Sequence, residues 1–334
     1  MNLKSLTSRI FLRNQDNSFE PRRSLRFSFN EVAGGANDII VIEKEYCQYA
    51  STPLNIVIGK LSNTKTIFNS RRKAGGKLLI NGNHVLSQAQ IEIGTAGVVS
   101  IKRGRKSSFC FTREEIRMMQ LNKGINRAVF NVEELNISIT FYIYLLSHDK
   151  KFIVSDIDGT ITRSDVTGFL GGSLGFDVHH LDVIRFLQNV DQNGYHVIYV
   201  SARPMAFDQN TRAYLFDTLQ NDVGGNSLPL GAVFLNPLPA TPIRLSDPCI
   251  MKTKVLNTFL DMFQNRNEVI VGAYGNTVTD TTAYLNAGIP PDKIFLLDKE
   301  SQIVNYGTKK KYSYTDLANT VSRIYPKQVT SLSI

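Results

Sequence analysis

The chain has 334 residues, 42% of them hydrophobic, which is enough length for about two domains and enough apolar content to bury a real core. Cys47, Cys110 and Cys249 are its only cysteines and lack CxxC spacing, so neither a zinc site nor a disulfide framework is indicated and a reducing compartment is expected. No apolar run approaches the roughly 18 uncharged residues of a membrane span, and the N-terminus lacks a secretory signal, so a soluble or peripheral protein is expected. The net charge of +9 implies an acidic partner (nucleic acid, an anionic membrane or a phosphorylated substrate) without choosing among them.

In chain order, Met1 to Arg13 can form a short helix with Leu3, Leu6 and Ile10 on one stripe and Lys4 and Arg9 away from it. Such a helix suits a membrane interface, and a docked or frayed terminus fits the same pattern. Asn14 to Gly35 is polar and basic and reads as a linker. From Ala36 short strands are predicted at Asp38 to Glu43, Pro53 to Ile58, Lys77 to Ile80 and Ala89 to Ile93. Asn81-Gly82-Asn83 is a strong turn signal among them. Regularly spaced short strands predict a sandwich. Ile137, Ile139, Phe141, Ile143 and Leu145 alternate with polar or tyrosine residues, which predicts a half-buried strand joining it. Thr112 to Glu115 resembles a capping box opening a short helix. Arg71 to Lys73 and the run Lys102, Arg103, Arg105, Lys106 read as basic loops.

After Lys151 the pattern becomes β then α. Strands are predicted at Phe152 to Ser155, His196 to Ser201, Ala232 to Leu235, Val269 to Ala273 and Ile294 to Leu297, with helices including Leu181 to Val190 and Ala206 to Leu219. That alternation predicts a parallel sheet with helices on both faces. Polar chemistry gathers at the strand ends, where ligands of open α/β sheets sit. Asp156 and Asp158 follow the first strand, Ser201 and Arg203 the second, and Asn276 and Asp280 the fourth; Lys252 and Lys254 lie near a helix start. Two acids spaced i, i+2 at a strand end suit a hard cation and a phosphate. Taken singly, each has an ordinary structural explanation as a turn residue, a solvated lysine or a helix cap.

Their joint order resembles the haloacid dehalogenase superfamily of phosphotransferases. DIDGTITRSD, YHVIYVSAR, GNTVTDTTAY and GIPPDKIFLLD look like the catalytic domain of the lipins, the magnesium-dependent phosphatidate phosphatases. NDIIVIEK, LNIVIGKL and LLINGNHV are similar to the amino-terminal lipin domain. FTREEIRMMQLNKGINRAVFNV leading into ITFYIYL resembles the lead-in to the carboxyl-terminal one. The chain departs from the pattern at Phe169 to Leu174, where several animal lipins carry an LxxIL motif, and at Val178, where Trp is common.

The resemblance implies an α/β plus all-β protein: a helix and linker over 1–35, an immunoglobulin-like β-sandwich over 36–150, a Rossmann-like catalytic domain over 151–326 and a tail over 327–334. It implies hydrolysis of phosphatidic acid at an anionic membrane surface, reached from the cytoplasm at the endoplasmic reticulum or nuclear envelope, with no nucleic-acid partner. Asp156 would be the nucleophile and Asp158 the acid and base, with Thr160 supporting the loop. Ser201 and Lys252 would bind the phosphoryl group, and Arg203 either the head group or an ion-pair partner. Lys254 competes with Lys252, whose place after Met251 best matches the lipin pattern. Mg²⁺ would be held by Asp156, the Asp158 carbonyl and Asn276 or Asp280. Leu3, Leu6, Ile10 and Phe11 would enter the membrane. A non-catalytic phosphatidate sensor and a phosphatase for soluble esters or phosphoproteins are the alternative readings.

Overall fold

The computed structural model describes residues 34–44, 48–58, 72–94, 97–101, 110–163, 179–217, 227–237 and 247–328. The expected helix at Met1 to Arg13, the run 102–106, Phe169 to Leu174 and Val178 lie outside them.

The amino-terminal half is β-rich. Its strands are β1 (Gly34–Ala36), β2 (Ile39–Lys44), β3 (Gln48–Ser51), β4 (Ile56–Ile58), β5 (Arg72–Ile80), β6 (Asn83–Ile93), β7 (Val99–Ile101), β8 (Gly124–Val132) and β9 (Ile137–Ser147), with one short helix, α1 (Arg113–Met118). Seven strands form one sheet in the order β3-β2-β9-β8-β5-β6-β7, and β1 pairs with β4 as a separate ribbon. All pairs are antiparallel except β2 with β9, where Ile39 lies opposite Ile143. Thr112 makes both bonds of the expected capping box with Glu115. Asn81 and Gly82, both at positive φ, close the β5–β6 hairpin where the turn signal placed it.

Three expectations change here. Arg72 and Lys73 are strand residues rather than loop, because the β5–β6 ladder continues past the apolar run and pairs Arg72 with Ile93. Gly34 and Gly35 are buried strand rather than linker, since β1 threads past the segment that follows the second strand of the parallel sheet. A Cβ on Gly35 would overlap the Met205 carbonyl and the Asp208 side chain, so that close approach requires glycine. Finally, β3, β7 and β8 are strands where the sequence pattern predicts none.

The carboxyl-terminal half alternates β10 (Phe152–Ser155), α2 (Val183–Gln192), β11 (His196–Pro204), α3 (Asp208–Arg212), β12 (Ala232–Asn236), α4 (Pro248–Leu260), α5 (Arg266–Val269), β13 (Ile270–Gly275), α6 (Val278–Asn286), β14 (Ile294–Leu297), β15 (Ile303–Asn305), β16 (Lys311–Tyr312), α7 (Tyr314–Asn319) and α8 (Val321–Ile324). The sheet order is β12-β11-β10-β13-β14-β15-β16, parallel through β14 and antiparallel in the last two pairings. The expected helix from Ala206 to Leu219 is instead a 3₁₀ turn at Met205–Phe207, then α3, then a π turn at Ala213–Asp217. Asp208 and Arg212 are drawn toward the β-rich half there, and tertiary bonds override helix propensity.

Side-chain alternation explains how the halves join. Ile39 and Val41 of β2 face the core of the β-rich half, while Ile40 and Ile42 turn outward with Tyr144 of β9. There they share one cluster with Phe152 and Val154 of β10 and Phe259 of α4. The other face of the parallel sheet packs Ile153 against α2, α7 and α8. The central strand β10 is thus covered on both faces, as a parallel sheet requires.

Candidate active site

The site forms at the carboxyl end of β10. The Asp156 amide donates to the Tyr274 carbonyl at 2.9 Å, which anchors the strand end to β13. The chain then turns sharply, with Ile161 N–H donating to the Ile157 carbonyl at 2.9 Å and Gly159 at φ +76°. Only glycine takes that left-handed conformation without strain. Gly159 N–H donates to Thr162 Oγ1 at 2.9 Å, and Tyr314 Oη donates to the Thr160 carbonyl at 3.0 Å.

Two clusters result. In the first, Lys252 Nζ from α4 donates to Asp156 Oδ1 at 2.6 Å and to Asp280 Oδ1 at 2.5 Å, with all three side chains buried. Thr160 Oγ1 lies 3.5 Å from Asp156 Oδ2. Thr277 caps α6, and its N–H and hydroxyl donate to Asp280 Oδ2 at 3.0 and 2.7 Å, joined by the Asn276 N–H at 3.1 Å. In the second cluster, Arg203 grips Asp158 with two nitrogens: Nη2 at 2.7 Å from Oδ1 and Nε at 2.9 Å from Oδ2. Ser201 Oγ donates to Asp158 Oδ2 at 3.3 Å and accepts from the Arg203 amide at 3.1 Å.

Burial pushes the Asp156 carboxyl up to about 7; the Lys252 ammonium opposes the rise and the Asp280 carboxylate adds to it. Burial alone would raise Asp280 too. There, however, the Lys252 charge and the donors from Lys252 and Thr277 outweigh it, and the carboxyl is held below its usual range. Burial disfavours the charged Lys252, but two adjoining carboxylates keep it protonated and raise it above the ordinary lysine range. One ammonium therefore serves two carboxylates, and Asp280 holds the larger share of the stabilisation because Thr277 assists it.

Asp156 and Asp280 present buried carboxylate oxygens at the strand end, the donor type that a hard divalent ion retaining part of its water shell takes. Among the described residues no cluster of three or more acidic, histidine or cysteine side chains gathers, so the protein shell would consist of two carboxylates and carbonyl or amide oxygens.

The structure therefore brings together Asp156, Thr160, Lys252 and Asp280, with Asn276 on the loop beside them, and sets Asp158, Ser201 and Arg203 as a neighbouring group. Lys252 is buried while Lys254 is exposed, because i, i+2 residues leave a helix on different faces. Arg203 stands in the ion pair, one of its two expected roles. Leu3, Leu6, Ile10 and Phe11 lie outside the described residues. Sequence reasoning missed Thr277, Tyr314 and His180, whose Nε2 is 3.4 Å from the Gly159 carbonyl. Thr277 carried a readable signal, since Thr-x-x-Asp is a capping box.

The family model described as LNS2 (Lipin/Ned1/Smp2) matches residues 107–326. The chain belongs to this family. Among relatives of this lipin-type family, it is 31% identical over 230 residues to "Phosphatidate phosphatase LPIN2" of Mus musculus, covering 66% of this chain and 25% of that protein. It is 29% identical over 225 residues to "Phosphatidic acid phosphohydrolase 1" of Saccharomyces cerevisiae, covering 63% of this chain and 26% of that protein. The chain spans about a quarter of the length of these curated relatives. A cobalt-bound deoxy-D-mannose-octulosonate 8-phosphate phosphatase from Haemophilus influenzae aligns at 13% identity and a TM-score of 0.30, over 53% of this chain and 90% of that chain.

Proposed function

We propose that this LNS2-family chain is a phosphatidate phosphatase of the haloacid dehalogenase type, releasing phosphate and diacylglycerol from phosphatidic acid at a membrane surface. The observation that carries this reading is the buried Asp156 at the strand end, paired with Lys252 and followed two residues later by Asp158.

An Asp156 carboxylate oxygen attacks phosphorus in line, and the bond from phosphorus to the glycerol oxygen breaks as an aspartyl-phosphate forms. Asp158 protonates the departing alkoxide and then takes a proton from the water that cleaves the acyl phosphate, regenerating Asp156 and releasing phosphate. Lys252 offsets charge on the phosphoryl oxygens, Thr160 supports the turn, and Ser201 stands by to donate to the phosphoryl group. A bound Mg²⁺, held by Asp156, the Asp158 carbonyl and Asp280 or Asn276, would neutralise the phosphate dianion and favour the ionised Asp156 carboxylate. Proton delivery requires Asp158 to leave Arg203. A phosphate dianion is the stronger partner for a guanidinium fork, so substrate binding would draw Arg203 away and free Asp158.

The remaining readings belong to the same proposal. The β-rich half, its expected span of 36–150 extended back to Gly34 by β1, serves as an immunoglobulin-like sandwich, with the catalytic part over 151–326. The enzyme works from the cytoplasm on the endoplasmic reticulum or nuclear envelope, docking peripherally on anionic lipid. Met1 to Arg13 contributes Leu3, Leu6, Ile10 and Phe11 to that docking, and nucleic acid is no partner. No described helix is long and apolar enough to cross a membrane.

The test is phosphate release from phosphatidate in mixed micelles, with and without Mg²⁺. Release should require the metal and vanish in Asp156→Asn and in Asp158→Asn. Near-normal release by Asp156→Asn with unchanged metal dependence would overturn the covalent mechanism; phosphatidate binding without release would make the chain a sensor.

A further inference from the structure

Five large apolar side chains are exposed among the described residues, and three of them sit at the starts of helices on the catalytic edge of the parallel sheet. Leu181, 56% exposed, follows His180, whose ring reaches the catalytic turn, and leads into α2. Ile250, 65% exposed, is in the first turn of α4, two residues before Lys252. Val278, 82% exposed, opens α6, two residues before Asp280. In a β-α-β crossover each such helix begins where its preceding strand ends, so all three side chains share the edge that carries Asp156.

The spacing decides where these side chains point. Residues i and i+2 diverge on a helix, so Lys252 and Asp280 turn into the buried site while Ile250 and Val278 turn out. The outer faces continue at i+4 and i+7. Lys254, exposed, follows Ile250 on α4, and Leu285, 37% exposed, follows Val278 on α6. First turns of helices ordinarily favour polar residues that cap the free amides, and neither the capping of α6 by Thr277 nor that of α4 by Asp247 uses these apolar groups. Among the described residues they stay exposed and take no part in either cap.

We infer that Leu181, Ile250 and Val278, with Lys254 beside them, form the rim that seats the catalytic edge on an anionic phospholipid bilayer. The inference rests on the phosphatidate reading and extends it by naming the surface through which a lipid held in a bilayer meets the site. The apolar side chains enter the interface at the level of the glycerol backbone and the Lys254 ammonium meets lipid phosphates, in keeping with the chain's +9 charge. The rim sits around the site, so docking aligns the substrate phosphate with Asp156 and Lys252.

The chain contains no tryptophan, so Ile250→Trp and Val278→Trp each give a single reporter at the rim. With phosphatidylcholine–phosphatidylserine vesicles, which carry no substrate, emission from both should shift to the blue and be quenched by brominated lipid. The doubly substituted Ile250→Glu, Val278→Glu chain should lose at least about tenfold of its phosphate release from phosphatidate in vesicles. It should keep wild-type release from a soluble short-chain phosphatidate, which also reports that it is folded. Unshifted tryptophan emission on vesicles that float the protein, or failure of the wild-type chain to float, would overturn the inference; so would equal losses on both substrates. Absence of phosphate release from any phosphatidate by the wild-type chain would instead refute the functional reading, and the tryptophan reporters would still judge the rim.

Discussion

Replacing Arg212 by Met probes the joint between the β-rich half and the carboxyl-terminal α/β half. Arg212 Nη1 donates to Asp38 Oδ2 at 2.9 Å and Nε to Asp208 Oδ1 at 2.7 Å, while Nη2 reaches the Ala36 carbonyl at 3.2 Å. The Asp38 and Asp208 side chains are 0% and 1% exposed, so Met would leave two carboxylates buried without their cation. Stranding a buried partner in this way costs about 3–5 kcal/mol, and a chain of this size loses on the order of 10 °C of melting temperature for it.

The loss should depend on pH. Burial raises Asp208 to about 6 and raises Asp38 as well, against the pull of Arg212, so removing the cation raises both further. Folded-state values above the unfolded ones mean that the folded chain holds the protons more tightly. The stability these groups contribute is present at low pH and is lost as pH rises from about 4 through their folded values. The deficit of Arg212→Met should accordingly be largest near pH 8 and shrink toward pH 5, as read by thermal melts of both chains at each pH. Asp38→Asn in the Arg212→Met background should recover part of it at pH 8. A variant within about 1 kcal/mol of wild type at pH 8, or an equal deficit at both pH values, would refute the reasoning.

Lys252→Met should abolish phosphate release and destabilise the chain by about 3–5 kcal/mol, because Asp156 and Asp280 would face each other without the ammonium. Mg²⁺ should restore more melting temperature to this variant than it adds to wild type, and no recovery would count against a cation at that point. His196 is held neutral, with its pKa pushed down to about 3 by burial and secondarily by Lys150, and its Nε2 has no hydrogen-bond partner among the described residues. The unfolded chain takes the extra proton first, so stability falls as pH drops below the ordinary histidine value of about 6.5, by roughly 2 kcal/mol at about pH 5. His196→Phe should remove that loss in urea titrations, and an unchanged slope would place the acid sensitivity elsewhere. A fragment from Lys151 to Ile334 would bare Phe152, Val154 and Ile198 where Ile40, Ile42 and Tyr144 now cover them, and should be insoluble or inactive. Cooperative melting with full activity would make the β-rich half an independent accessory.

The elements legible in advance were those whose signal lies between near neighbours. The buried strand Phe152 to Ser155, the turn at Gly159, the hairpin turn at Asn81-Gly82 and the Thr112 capping box all depend on residues a few places apart. The alternation after Lys151 likewise revealed the parallel sheet, because apolar strands and amphipathic helices such as α2 write their period into the chain. The outer part of β5 escaped because a ladder rather than an apolar stripe holds it, whereas β8 does carry a stripe, Ala128, Phe130 and Val132 alternating with Arg127, Val129 and Asn131, which its strand-disfavouring asparagines obscure.

By itself, the sequence determined which polar residues stand at the strand ends and the order in which the strands present them. Tertiary structure alone decided their partners. Lys252 rather than Lys254 meets Asp156 because α4 lies with that face against the sheet, 96 residues along the chain from the strand it serves. Arg203 holds Asp158 across 45 residues, and Asp38 meets Arg212 across 174, breaking an otherwise continuous helical pattern into 3₁₀, α and π turns. Local propensities are worth tenths of a kcal/mol per residue, whereas a buried charge left unpaired costs several, so packing settles which distant groups must meet and bends local structure to let them.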